Sequence, residues 1–300
     1  MVEAGGNPPG LLLIRGLGHS GSTILDLALG AHPQMLGLGE AMRILQRPQP
    51  GESEQGPTFL RGEGRFKRRC TCGALAGECP VWGSILEGLV DQDETPLQSK
   101  LLGLLQQVER HHRLDSGSGL NLRWIVESYQ ADTELVGPLA TRLDRPVKVV
   151  FLTRDVRSWA HSEARRVKGR HHSAALRALL RWWRVNKRLA QQLKLAGCSV
   201  FNLGYEELAL APEAALQRLC HWLELDFQPA MLTPGESSSS HILSGNRLRF
   251  EPDQTRRLRY DAAWLASRSW PLRLATSFPP IAALNRTLVY SNDLLGRVWP

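Results

Sequence analysis

Residues 11–30 read LLLIRGLGHSGSTILDLALG. The apolar run Leu11, Leu12, Leu13, Ile14 is too short for a helix and ends at Gly16, so it predicts a buried strand. From 21 to 30 the pattern predicts a helix, stopped near Gly30 and Pro33. Between them lies GLGHSGST (16–23), with three glycines and three hydroxyls in eight residues. A Gly-rich strand-to-helix turn lets backbone N–H groups crowd round an anion, and the helix N-terminus adds its positive end. Gly16 and Gly21 have the spacing of the G-x-x-x-x-G-K-[ST] phosphate loop, but Ser22 stands at the Lys position.

Outward from this unit, short apolar runs predict strands at 35–38, 123–126, 147–153 and 199–203. Of these, 147–153 (VKVVFLT) is the clearest, its continuous apolar character suiting a central parallel strand. Helices are expected at 81–90, 97–114, 134–143, 174–195 and 212–223. Strands alternating with helices imply an α/β fold: a P-loop NTPase-like parallel sheet of about five strands with helices on both faces. One domain is expected over 1–300. It would carry a Pro-, Gly- and charge-rich insertion at about 46–120 and a mainly helical C-terminal segment from about 250. Ser237, Ser238, Ser239 and Ser240 form a low-complexity patch, expected to be flexible.

The composition, 42% hydrophobic and 22% charged, is that of a globular chain. The net charge of +8 favours anionic partners without choosing among them. No helix-turn-helix, zinc knuckle or aromatic sheet motif is present, so nucleic acid is not expected as a partner. Residues 11–14 are too short for a membrane span and lack a cationic lead-in, so no integral membrane segment is expected. The five cysteines are irregularly spaced and odd in number, a poor disulfide framework, which points to a reducing, cytoplasmic compartment. Cys70, Cys72 and Cys79 could bind zinc only with a fourth ligand from His111 or His112. The expectation is reduced cysteines packing the insertion, with no metal required.

The glycine loop, followed by ILDLALGAHPQMLGLGEAMRIL, resembles the 5′-phosphosulfate loop of the sulfotransferases that use PAPS (3′-phosphoadenosine 5′-phosphosulfate), and looks most like the tyrosylprotein and bacterial branches. VKVVFLTRDVRSWAHS is similar to the family's 3′-phosphate motif, with Arg154 and Ser162 eight residues apart. Tyr205, Glu206, Glu207 and Leu208, then Pro212 and Glu213, resemble a segment whose Tyr lies near the adenine. HILSGNRLRF (241–250) looks like the late loop that closes over the 3′-phosphate and carries Arg247. The stretch CTCGALAGECPVW (70–82) also resembles bacterial members.

The resemblance implies transfer of a sulfuryl group from PAPS to an acceptor hydroxyl on a carbohydrate, lipid, small molecule or peptide tyrosine. It implies a donor cradle at His19, Ser20, Gly21, Ser22 and Thr23, completed by Arg154, Ser162, Tyr205 and Arg247. Glu40 would be the general base and Arg43 an acceptor-side cation. A sulfuryl group carries less charge than a phosphoryl group, so a loop without Lys and without magnesium suits it. Two positions depart from the family pattern: His19 stands where a Lys or Arg precedes SGST, and Gln130 where a Lys follows the third strand. His19 would supply the missing charge when protonated; an Arg such as Arg15 or Arg43 is the other source. The alternatives are a PAPS/PAP-binding protein with weak or lost turnover, and a P-loop kinase, which Ser22 opposes.

Overall fold

The computed structural model describes residues 7–47, 62–89, 91–115, 121–166 and 171–295. Of the expected insertion, residues 48–61, 90 and 116–120 lie outside the described residues. Five strands, β1 (Gly10–Arg15), β2 (Met35–Gly37), β3 (Trp124–Glu127), β4 (Val147–Thr153) and β5 (Ser199–Gly204), form one sheet in the order β2-β3-β1-β4-β5, every pair parallel.

Alternation along β1 sorts its side chains to two faces. Leu12 and Ile14 pack with Ile24, Leu25 and Leu29 of α1 (Ser22–Gly30) and with Leu216 and Leu219 of the helix Pro212–Trp222. Leu11 and Leu13 pack on the other face with Met42 of α2 (Ala41–Leu45), and with Trp82 and Leu104 from the segment 62–115. All four β1 side chains are fully buried, each contributing about 1.5–3 kcal/mol of transfer free energy. The cysteine-bearing stretch therefore sits in the same core as the sheet's central strand.

The helices following β4 are α3 (Val156–Arg166) and α4 (His171–Leu195). Only the second was legible in the sequence. The first has a narrow apolar face, Val156, Trp159 and Ala160, amid Arg157, Glu163, Arg165 and Arg166. Trp182 of α4 is core: its Nε1 donates to the Arg154 carbonyl at 2.9 Å and fixes the end of β4.

The serine patch corrects its expectation. Ser240 is buried, Ser239 N–H donates to the Gly30 carbonyl, and the Ser238 hydroxyl donates to that of Ser240. Gly30 and Gly37 make the room, because a Cβ at either would lie within 2.5 Å of Ser240 Oγ, at 1.9 and 2.4 Å. No helix among the described residues is long and apolar enough to cross a membrane.

Candidate active site

Strand β1 delivers the loop 16–21 to the carboxyl edge of the sheet, where open α/β sheets hold ligands. Gly16 is required by close approach: a Cβ there would lie 2.1 Å from the Leu152 carbonyl oxygen of β4. Gly21 caps α1 with φ 97° and His19 has φ 69°, both in the left-handed region. The first helical hydrogen bond runs from Leu25 N–H to the Gly21 carbonyl, so the amides of Ser22, Thr23 and Ile24 precede the helix ladder, the position at which helix N-termini offer donors to anions. Two side chains hold the loop shape. Ser20 Oγ donates to the Leu17 carbonyl at 2.6 Å, and Trp159 Nε1 donates to the Gly18 carbonyl at 2.7 Å.

Arg154 follows β4 immediately, as the sequence implied. Its Nε donates to Ser158 Oγ at 2.8 Å, its Nη1 to the His19 carbonyl at 3.4 Å, and its Nη2 to Asp261 at 2.5 Å. The expected partner Ser162 lies one turn beyond Ser158 on α3. With Asp261, Arg165 and Arg166 it lines a cleft of about 360 Å³. Tyr205 stacks its ring on Gly21, where an added Cβ would lie 2.4 Å from the ring, and the Arg154 guanidinium sits 5.5 Å from its centroid. Its hydroxyl donates to the Arg259 carbonyl. Donor-loop, strand-end and tyrosine residues named separately by the sequence thus meet around one point.

The loop's other side opens into a cleft of about 450 Å³, lined by Gly16, Gly18, Glu40, Arg43, Gln130 and Arg188 among others. Glu40 precedes α2 and is half-buried. Its Oε2 accepts from Arg43 at 3.1 Å and from Ser244 Oγ at 3.2 Å, and its own N–H donates to the Ser244 carbonyl. Among the described residues Oε1 has no partner. Gly39, φ 66°, makes this approach possible, because a Cβ would lie 2.6 Å from the Ser244 carbonyl oxygen. The segment 241–250 also crosses the start of α1, with Asn246 N–H donating to Thr23 Oγ1. Arg249 ties that segment to itself through the carbonyls of Leu243, Gly245 and Asn246. Arg247 lies near Arg68 on the Glu40 side: burial first, then the charges of Arg43 and Arg247, lower the Arg68 pKa. A larger cavity, about 730 Å³, opens at the opposite, amino edge of the sheet around Gly10, Arg123 and Lys148, away from these groups.

Two expected cations are corrected. Arg15 is fully buried and paired with Glu127 at 2.8 Å, beneath the start of α2, so it cannot reach a bound group. His19 is not a protonated cation at neutral pH, because burial first and the Arg166 charge second lower its pKa below the ordinary 6.5. The Arg166 guanidinium instead donates to His19 Nε2, which requires the neutral ring. Sequence reasoning missed Arg166, whose pairing depends on the unrecognised helix α3, and Arg188, hidden in the basic face of α4. Gln130 is beside the loop as expected, its Oε1 3.7 Å from where a Gly18 Cβ would be.

Residues 122–229 match the profile of the Sulfotransferase family. That span contains β3, β4, Arg154, Ser162 and Tyr205 but not the glycine loop. No curated protein matches the chain. Among solved structures, the sulfotransferase domain from the Synechococcus PCC 7002 olefin synthase is 20% identical, with TM-score 0.53, over 96% of this chain and 97% of that one. The sulfotransferase domain from the curacin biosynthetic pathway is 16% identical, with TM-score 0.46, over 92% and 96%. The family profile matches the span from β3 to β5, and the fold over nearly the whole length is that of a sulfotransferase domain.

Proposed function

We propose that this chain transfers the sulfuryl group of PAPS to an acceptor hydroxyl, with Glu40 as general base. The observation that carries the reading is the single cleft in which the glycine loop, Glu40, Arg43 and Gln130 face one another. The donor's requirement for anion sites fits the residues present. Arg154 already grips a carboxylate at 2.5 Å, and the loop offers the start of α1.

When bound, PAPS supplies an activated sulfuryl group and leaves as PAP. Loop amides and Ser22, Thr23 hold its 5′ end; Arg154, with Ser162 on the same side, holds its 3′-phosphate. Glu40 Oε1 accepts the proton from the acceptor hydroxyl as that oxygen bonds to sulfur, while Arg43 and Ser244 fix the carboxylate through Oε2. Arg166, acting through His19, supplies the positive charge that a Lys gives elsewhere, and Gln130 adds a neutral donor. Arg188 and Arg43 line the acceptor side and suit an acceptor with anionic or polar character.

Thermal unfolding with PAP, PAPS, ATP and ATP plus magnesium tests the donor, because a ligand of the native state raises the transition temperature. PAP and PAPS should raise it without metal. A rise only with ATP and magnesium would replace this reading by a kinase. A rise with PAP but no transfer of labelled sulfate to any acceptor pool would leave a binding protein.

A further inference from the structure

Cys70, Cys72, Cys79 and His241 converge although 162 residues separate Cys79 from His241. The three Sγ atoms and one imidazole nitrogen lie within 4.8 Å of one another. Cys72 Sγ is 3.8 Å from Cys79 Sγ, and His241 Nδ1 is 3.2 Å from Cys79 Sγ and 4.0 Å from Cys70 Sγ. A tetrahedral zinc with Zn–S of about 2.3 Å and Zn–N of about 2.0 Å has S–S edges of about 3.8 Å and S–N edges of about 3.5 Å. The observed separations of 3.2–4.0 Å bracket those edges, and the remaining ones are bounded by 4.8 Å.

The local backbone builds the cluster. Gly73 N–H donates to the Cys70 carbonyl and Cys70 N–H to the Ala74 carbonyl, closing a tight turn. Gly73, φ 92°, permits it and has open space where a Cβ would be. The turn sets Cys70 and Cys72 on one side, and the short helical turn Ala76–Glu78 brings Cys79 to them. Cys70, Cys79 and His241 are buried, while Cys72 is exposed. Simple apolar packing explains a buried cysteine, but not an exposed one aimed at the same point. His111, one of the two candidates (with His112) for a fourth ligand, packs its ring edge-on against His241 with centroids 5.2 Å apart.

We propose that Cys70, Cys72, Cys79 and His241 bind one zinc ion as a closed, structural site. Three thiolates and one imidazole are the donor set zinc prefers over oxygen-seeking cations, and four protein ligands leave no open position for chemistry. The ion staples the 70–79 turn to the segment 241–250. His241 N–H donates to the Gly37 carbonyl of β2, and its carbonyl accepts from Trp82 Nε1 at 2.7 Å. Thr71 Oγ1 accepts from Ile242 N–H and donates to the Ser240 carbonyl. Three residues beyond His241, Ser244 holds Glu40. The metal thereby orders a wall of the site from outside it.

The test is metal content and cobalt spectroscopy on the full chain, purified under reducing conditions from zinc-supplemented cells. One zinc per chain is expected, and replacement by cobalt(II) should give the intense visible bands of a tetrahedral thiolate site. Cys72→Ser, at the exposed ligand, should fold yet weaken cobalt affinity more than about 100-fold, beyond what loss of a mere outer partner costs. Zinc should raise the unfolding temperature of wild type and not of Cys72→Ser. A chain without zinc and without tetrahedral cobalt bands, or equal cobalt affinity in Cys72→Ser, overturns the proposal. So does a Cys72–Cys79 disulfide in the folded, reduced preparation.

Discussion

Arg154 donates from Nη2 to the Asp261 carboxylate at 2.5 Å. The guanidinium that would hold the donor's 3′-phosphate is thus partly engaged by an internal anion. Burial alone would raise the Asp261 pKa, but the Ala263 amide and Arg154 bring it below the usual carboxylate range, so it is charged at every pH of interest. A phosphate at Arg154 must share or displace it. Asp261→Asn keeps an oxygen for the Ala263 amide and removes the charge, so PAP affinity measured by calorimetry should rise several-fold. Arg154→Ala should weaken PAP by about 1.5–3 kcal/mol, the range for a charged hydrogen bond. Unchanged affinity in both folded variants would remove Arg154 from the donor site.

Glu40→Gln should leave PAP affinity nearly intact and slow the chemical step by about 10²–10⁴-fold, the usual worth of a positioned base. Both of its partners, Arg43 and Ser244, bind Oε2, and an amide can keep one of those contacts. Single-turnover rates separate the step from binding. Equal rates in wild type and Glu40→Gln would assign the base elsewhere.

Much of this arrangement was legible in the chain. Continuous apolar runs show where β1 and β4 lie, and the Arg after β4 falls at the sheet edge by construction. Residues brought in by long-range packing were not legible. His241 was read only as the start of a loop, because its partner Cys79 lies in another segment and no local spacing links them. Arg166 was lost with α3, whose few apolar residues barely mark a face. Asp261 lies in irregular chain just before the short helical turn Ala263–Ala266, without a periodic pattern, and only the folded chain sets it against Arg154.

The His19–Arg166 contact decides a pH profile. A protonated His19 would make the rate fall as pH rises through its pKa. Its pKa is lowered by burial and by Arg166, so the ring is already neutral at pH 7. The rate should therefore show no loss between about pH 6.5 and 8.5. Arg166→Gln should lower kcat across that whole window, and His19→Lys in the Arg166→Gln background should restore part of it. A wild-type rate that falls near pH 6.5 would return the cationic role to His19.

Omitting magnesium should leave transfer unchanged, because Ser22 replaces the Lys of nucleotide-hydrolysing loops and the donor's transferred group carries less charge. EDTA reaches a different target. If it lowers activity, zinc rather than magnesium should restore it, in step with the unfolding temperature. Rescue by magnesium alone would favour phosphoryl transfer.

Asp26, on α1, accepts from the Gly39 N–H at 3.1 Å next to Glu40. It is fully buried, and burial is the main cause raising its pKa from 3.8 to about 8; the Glu127 and Glu40 charges add to the rise, and the Ser128 hydroxyl and Gly39 amide oppose it. The native carboxyl is therefore protonated at pH 7, while the unfolded one is ionised. A native state that binds the extra proton loses stability as pH rises. The contribution is complete below about pH 4 and lost as pH passes about 8. Glu206 adds the same slope, its pKa raised to about 8 by burial and then by the Asp155 charge. Asp155 itself runs the opposite way: burial would raise its pKa, but Arg157 and Asn285 lower it, so its effect is confined to pH below about 4. Denaturant midpoints should fall steadily from pH 5 to pH 8. Asp26→Asn should remove part of that slope, and adding Glu206→Gln most of the rest, so the double variant gains on wild type as pH rises. Parallel curves for wild type and the double variant would show that both carboxyls ionise in the native protein at ordinary pH.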